Sequence, residues 1–383
     1  MTPCSRDGFG LPAVLAVLAV SAVAALGALR VGLQRALDAR DAIRLVRAQS
    51  AAESAVRAAL AWWDADSMRA VPPGATVSLA PAAGSLFGGV AYSATAERAG
   101  LNRFLVRGEA SLAAAGANAA IASAIALIAM IPTDEIWMDF HSALASGGDV
   151  TLTAGAIVSG TDSGVPPGWS PADCPPGLAA MVAALFGTPD RPGVAIPATG
   201  ASLTATGATL SGLPPLLTGA PATDTADFVR LGPLPFSDVA VIADRVEVGT
   251  VNLVPSAIAG SCDIRAPGNW GAPADPTHPC FRFVPVVHAP ADLEIASGTG
   301  QAVLVVDGDL TLRAGVSFTG LILVRGRIDL DGAAVIGAVR AGEGARVAGA
   351  LRYSGCAVGR TLQRARALGR PYRTGDRFWL PAF

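Results

Sequence analysis

The chain has 383 residues, with 28 basic against 30 acidic side chains and a formal charge of −2. That balance excludes a polybasic nucleic-acid binder and an acidic-tail protein. Charged residues make up 15% and apolar ones 51%, where an ordinary soluble domain is about 25% charged, so a disordered chain is excluded as well.

From Gly8 to Leu29 runs GFGLPAVLAVLAVSAVAALGAL, 22 residues without a charge. As a helix rising about 1.5 Å per residue it covers the roughly 30 Å hydrocarbon core of a bilayer. The run exceeds the h-region of about 7–15 residues in a secretory signal, with signal-peptidase cleavage at its Ala-rich end as the alternative. Arg6 precedes it, while Arg30, Arg35, Arg40, Arg44 and Arg47 follow, offset in part by Asp38 and Asp41, so flanking charge leaves the orientation open. Beyond the run, Leu33, Leu37, Ile43, Val46, Val56, Leu60 and Trp63 recur at helical spacing, and no Pro intervenes before Pro72. The pattern predicts one helix from Phe9 to about Trp63. Residues 9–29 would cross a membrane, and the extension within 30–70 would bury one stripe on a folded head. A plain anchor with a linker helix is the bland alternative.

The segment RDGFGLPAVLAVLAV resembles the N-terminus of type IV pilin-like proteins, in particular PilX-type minor pilins and related pseudopilins. The resemblance implies a leader over residues 1–8, ending at Gly8, and cleavage before Phe9 by a prepilin peptidase. It further implies a single-pass protein of the inner membrane, with 30–70 and the head in the periplasm or at the cell surface. Other pilin-like subunits would pack on the N-terminal helix. Most major pilins carry Glu five residues into the mature chain; Ala13 stands there, a departure found in some minor-pilin and pseudopilin branches.

VPPG at 71–74 ends the helix, after which TVSLA, GVAYSATAER and NRFLVRGEASL alternate as strands. They predict a small β-region over 71–132 packed on the helix. A second uncharged run, Ala110 to Pro132, is Ala-rich with Gly116 and Asn118, and reads as a buried helix or strand pair, a second membrane span being the alternative. From Gly147 onward a short β-grammar repeats between glycines. Its clearest internal match sets VVDGDLTL (305–312) against LVRGRIDL (323–330), an offset of 18 residues. Short strands at a near-constant period predict a right-handed β-solenoid over 145–354, with a β-sandwich as the alternative. SGCAVGRTLQRARAL predicts a short helix in a C-terminal cap over 355–383, whose arginines read as a solvated face. The fold class expected is therefore α+β, a long N-terminal helix followed by a mainly β head. AVLVVDGDLTL…FTGLILVRGRIDL with YSGCAV is also similar to the C-terminal halves of PilX-type membrane-anchored bacterial proteins with β-helical heads.

Removing the leader would take Cys4 and leave four cysteines, which allow three pairings. Cys262 and Cys280 bracket a Pro/Gly-rich loop, and closing about 18 residues stabilises by roughly 3 kcal/mol. That pairing is favoured, and Cys174 with Cys356 then follows by elimination, in keeping with an oxidising compartment. No CxxC spacing suggests zinc. Asp134, Glu135, Asp139 and His141 form the densest polar group, suited to acid–base or metal work but more often a loop contact. Asp307 and Asp309 offer a calcium turn without its repeated spacing. Arg325 and Arg327, near Asp307, Asp309, Asp329 and Asp331, are a faint version of a polysaccharide-cleaving face, supported by fold analogy alone. No GxSxG, HExxH, P-loop or dinucleotide fingerprint occurs in a sensible context. The expectation is a non-enzymatic component of type IV pilus or related secretion-filament assembly, with no cofactor, metal or nucleic acid. Its partners would be the lipid bilayer, sister subunits and the prepilin peptidase. The alternatives are an anchored, extracytoplasmic β-solenoid that binds or cleaves carbohydrate, and a cytoskeletal β-helical polymer with a cytoplasmic head.

Overall fold

The computed structural model describes residues 10–79, 84–86, 90–100, 102–114, 117–131, 133, 136–137, 140–175, 188–219, 230–232 and 234–373. The chain forms two compact units, Met1–Ala129 with Pro371–Phe383, and Met130–Arg370.

In the first unit, Gly10–Ala61 is a single α-helix of 52 residues, about 78 Å long at about 1.5 Å per residue. Its two halves meet different surroundings. Between Val14 and Leu37 the large apolar side chains are 52–70% exposed. From Ala48 onward, Ala48, Ala51, Ala52, Ala55, Val56 and Ala59 are buried against strands Val90–Arg98, Arg103–Ala114 and Ala117–Ala129. These three strands pair antiparallel in sequence order. Thr76–Ser78 and Gly84–Leu86 also pair with Val90–Arg98, and Tyr372–Arg373 pairs with Ala117–Ala129.

Helix and sheet approach closely because both contact faces are made of small residues. Ala94, Ala96, Ala110, Ala122, Ala124 and Ala126 are buried, and Gly108 lies against the helix backbone at Ala52. The second uncharged run therefore supplies strands, with Ala122, Ala124 and Ala126 buried in alternation and Ile121 exposed. Arg98 fastens the chain as it leaves the helix, donating to the carbonyls of Arg69 at 2.8 Å and Val71 at 2.6 Å.

Among the described residues, the second unit is built on a curled sheet of 17 strands whose pairings are all parallel. The internal match in the sequence is one turn of this sheet, since Val305 pairs with Leu323, Leu310 with Ile328 and Leu312 with Leu330. The next turn is shorter by one residue, pairing Thr319 with Ile336 and Asp329 with Arg346. Leu310, Leu312, Ile328, Leu330 and Val347 are buried in the core, whereas Thr311, Asp329 and Arg346 between them face outward, the period-2 alternation of a half-buried strand. The sheet bends at a column of small residues, Ala302–Gly320–Gly337. Gly320 and Gly337 have φ of +134° and +145°, a region open to glycine.

The order of turns in space is not their order in sequence. The C-terminal segment winds from Gly249–Leu253 through Leu293–Val306 and Val316–Val324 to Ala334–Ala341. The next strands along the sheet are Leu144–Ser146, Val150–Leu152 and Ile157–Ser159, which pair with Ala334–Ala341, Gly344–Val347 and Ala350–Arg352. Beyond them lie Leu203–Ala205 on Val150–Leu152, Thr209–Ser211 on Ile157–Ser159, and Val194–Ile196 on Leu144–Ser146, with Leu216–Thr218 in turn on Val194–Ile196. The chain thus enters the sheet in its middle, builds outward to one edge, resumes at the opposite edge, and winds back until its last turn meets its first.

The short C-terminal helix, Gly355–Arg364, was expected in an end cap. It lies instead across the flank of three successive strands, Leu293–Val306, Val316–Val324 and Ala334–Ala341, because the Ala302–Gly320–Gly337 column leaves room for it. A Cβ added at Gly320 would stand 3.2 Å from the Thr361 side chain. At the Gly249–Leu253 edge, the loop between Cys262 and Cys280 does the covering. Its Asn269 and Trp270 are fully buried, Arg245 donates to the carbonyls of Ala266 and Asn269, and Val254 N–H donates to Gly268 at 3.0 Å. Residues 374–383 of the expected cap lie outside the described residues.

Candidate functional site

Two surfaces concentrate the unusual chemistry. The first is the exposed half of the long helix. Val14–Ala61 is a helix long and apolar enough to cross a membrane, and its most apolar window has none of its residues buried. Left in water, so much bare aliphatic surface is unfavourable, since burying it releases about 25 cal/mol per Å². Up to Leu29 the run carries no charge and its backbone groups bond within the helix, so that part can enter lipid or pack on other apolar helices at little polar cost. Gly8 and Phe9, the expected cleavage junction, lie outside the described residues; Ala13 is within the helix.

The second surface is the outer face of the parallel sheet. Asp307 is held on both oxygens, by His288 Nε2 at 2.8 Å and Arg325 at 3.2 Å, and Arg325 stacks on Phe236 at 4.7 Å. The Asp309 carboxylate accepts Arg327 N–H at 2.7 Å, and Asp292 does the same for Asp309 N–H at 2.8 Å. Arg313 bridges Glu294 at 3.0 Å and Asp331 at 3.2 Å, which raises the pKa of its guanidinium. Arg346 reaches Asp329 at 2.8 Å. In register Thr311 separates Glu294 from Asp329, and Arg346 follows Asp329 on the next strand, so at a strand spacing of about 4.8 Å each carboxylate has a neutral or cationic neighbour. The structure brings together Asp307 with Arg325 and Asp309 with Arg327, as residue clusters suggested; His288, Arg313 and Arg346 were not singled out for this face. The turn period was the available signal, because it places His288 beside residues 305–307.

Between the turns a trough of about 460 Å³ opens over Gly344, walled by Asp149, Asp309, Arg327, Asp329, Glu343 and Arg346. Hydrogen bonds from the Ser202 hydroxyl and N–H lower the Asp149 pKa. Of the polar group at 134–141, Asp134, Glu135 and Asp139 lie outside the described residues, and His141 is half-buried at the entry to the first parallel strand.

The structure closes Cys174–Cys356 and Cys262–Cys280. Arg360 binds the two disulfide-bearing loops to the C-terminal helix. Its guanidinium lies 3.9 Å from the Trp169 ring centre and 4.0 Å from that of Phe281, and it donates to Phe281 O at 2.6 Å. Burial lowers its pKa to about 10, so it remains a cation at neutral pH. No protein-family model, curated protein or solved structure matches the chain.

Proposed function

We propose that this protein is a non-enzymatic, minor-pilin-like or pseudopilin-like subunit of a type IV pilus or related secretion filament. In this reading it is held in the inner membrane by the exposed half of its helix. The observation that carries the proposal is the division of that helix, with Val14 to Leu37 bare and Ala48 to Ala59 laid on an antiparallel sheet. Such a subunit leaves the bilayer at little cost, because sister helices replace lipid around the same apolar surface while the head stays docked. The curled sheet is read as a right-handed β-solenoid presented in the periplasm or at the cell surface, and its neutralised carboxylate ladder supports a structural face rather than a catalytic one.

Coexpression with a prepilin peptidase, followed by intact-mass and N-terminal peptide analysis, tests the reading. Loss of Met1–Gly8 and a chain starting at Phe9 is the expected result. A retained Met1, or a start beyond Leu29, overturns it. The trough over Gly344 favours a second reading, a head that binds polysaccharide; glycan-array binding lost on Arg327→Ala would support that alternative.

A further inference from the structure

The two disulfides differ in the properties that govern exchange. Cys262–Cys280 spans 18 residues; Cys262 is half-buried, Cys280 is fully buried, and Asn269 Nδ2 lies 3.6 Å and 3.4 Å from the two sulfurs. Cys174–Cys356 spans 182 residues, and both its cysteines are only half-buried. It lies on a cavity of about 190 Å³ lined mainly by apolar groups, among them Trp137, Val165, Pro171, Pro175 and Pro189. Cys356 stands in the first turn of the Gly355–Arg364 helix, after the N-cap Ser354. A thiolate there faces the positive end of the helix dipole, and a stabilised thiolate is the better leaving group.

This bond also crosses the seam where neighbouring turns of the sheet are not consecutive in the chain. Along the seam, Gly147 N–H donates to Ala341 O at 2.9 Å, Ala345 N–H to Asp149 O at 2.9 Å, Ile157 N–H to Gly349 O at 3.0 Å and Tyr353 N–H to Ser159 O at 2.8 Å. Beside the disulfide, Ser354 Oγ donates to Gly164 O at 2.6 Å and Gly355 N–H to Asp162 Oδ1 at 3.0 Å. Between Leu293 and Arg352 successive turns follow one another at 16 to 18 residues, whereas this edge joins segments 193 to 195 residues apart and is crossed by the Cys174–Cys356 bond.

We propose that Cys174–Cys356 is an exchangeable clasp over this seam, opened by a dithiol, and that Cys262–Cys280 is a permanent structural bond. One thiolate of the dithiol attacks Cys174 Sγ through the cavity, the S–S bond breaks, and Cys356 leaves as a thiolate. The second thiol attacks the mixed disulfide and releases Cys174. Two electrons and two protons pass to the cysteines, and the dithiol becomes a disulfide. With the clasp open, strands 144–159 separate from 339–352 more readily, and the sheet loosens in its middle. The inference does not rest on the pilin reading.

Full-length protein in detergent micelles is titrated with dithiothreitol, quenched with N-ethylmaleimide and mapped by peptide mass spectrometry, with hydrogen–deuterium exchange on parallel samples. Cys174 and Cys356 are expected to label at a reductant concentration about tenfold below that needed for Cys262 and Cys280. At that point exchange rises in 144–152 and 339–347 while 303–312 and 321–330 stay protected. Simultaneous reduction of both pairs, earlier reduction of Cys262–Cys280, or an open Cys174–Cys356 with unchanged exchange along the seam would overturn the proposal.

Discussion

Gly108 lies directly against Ala52: a methyl group at Gly108 would stand 2.2 Å from the Ala52 carbonyl oxygen and 2.9 Å from Val56 Cγ2. The contact is backbone on backbone, so neither side yields without moving the helix. Gly108→Ala is expected to destabilise the docked half of the helix by about 2 kcal/mol, the range for overpacking. Trypsin cleavage after Arg47 and Arg57 would then quicken. Unchanged protection at both sites would show that the helix is not held there.

Removing the cation at Arg360 tests the lock between the two disulfide loops. Arg360→Met keeps apolar contact with Trp169 and Phe281 but loses a desolvated cation–π pair worth about 2 kcal/mol. It also leaves Phe281 O, and Gln301 Oε1 at 3.3 Å, without this donor, for a total of about 3 kcal/mol. Urea unfolding followed by tryptophan fluorescence reads the loss.

The bend of the sheet should tolerate no side chain at Gly337. A Cβ there would stand 1.8 Å from Gly320 O, at a φ of +145°. Gly337→Ala is expected to cost about 3 kcal/mol or more, from strain and from separated strands together. A far-UV spectrum and thermal melt matching the wild type would refute this.

The exposed ladder should behave oppositely. Arg313 is half-exposed between Glu294 and Asp331, and exposed ion pairs contribute about 0–1 kcal/mol. Arg313→Gln is therefore expected to leave the thermal midpoint close to that of the wild type, with any difference smaller still in high salt. A midpoint far below that of the wild type would mean that the ladder holds the turns together.

Asp149 supplies a pH-dependent contact. Its folded pKa lies below the ordinary 3.8 because Ser202 donates to the carboxylate. A depressed acid stabilises the fold above its unfolded pKa, and that contribution is lost as pH falls through the folded value. In Ser202→Ala the Asp149 pKa should rise toward 3.8, read by carboxyl NMR titration, and acid unfolding should begin at a higher pH.

Part of this organisation is written locally. The long helix is legible because its charge-free run and helical spacing meet no Pro between Pro12 and Pro72; its stop at Ala61 is not marked by a proline. The 18-residue match between VVDGDLTL and LVRGRIDL is legible because equivalent positions on successive turns face the same core or the same water. The His288–Asp307 contact follows from that period once the turns are aligned. The small-residue run at 117–129 did not declare itself as strand, since alanine is the strongest helix former and is depleted in strands, and packing on the partner surface overrides that preference.

By itself, then, the sequence determined the long apolar helix, the β character of the head, the length of a turn and the loop bracketed by Cys262 and Cys280. All of these depend on neighbours within one helix or one turn. Only the tertiary structure decided which turn lies on which, where the C-terminal helix docks, and that Cys174 and Cys356 fasten a seam between segments remote in the chain. The physical reason is that every edge of a parallel sheet presents the same alternation of N–H and C=O groups. Periodicity states that turns will stack, while bulk at positions such as Gly320 and Gly337, and the covalent tie at Cys356, select the order.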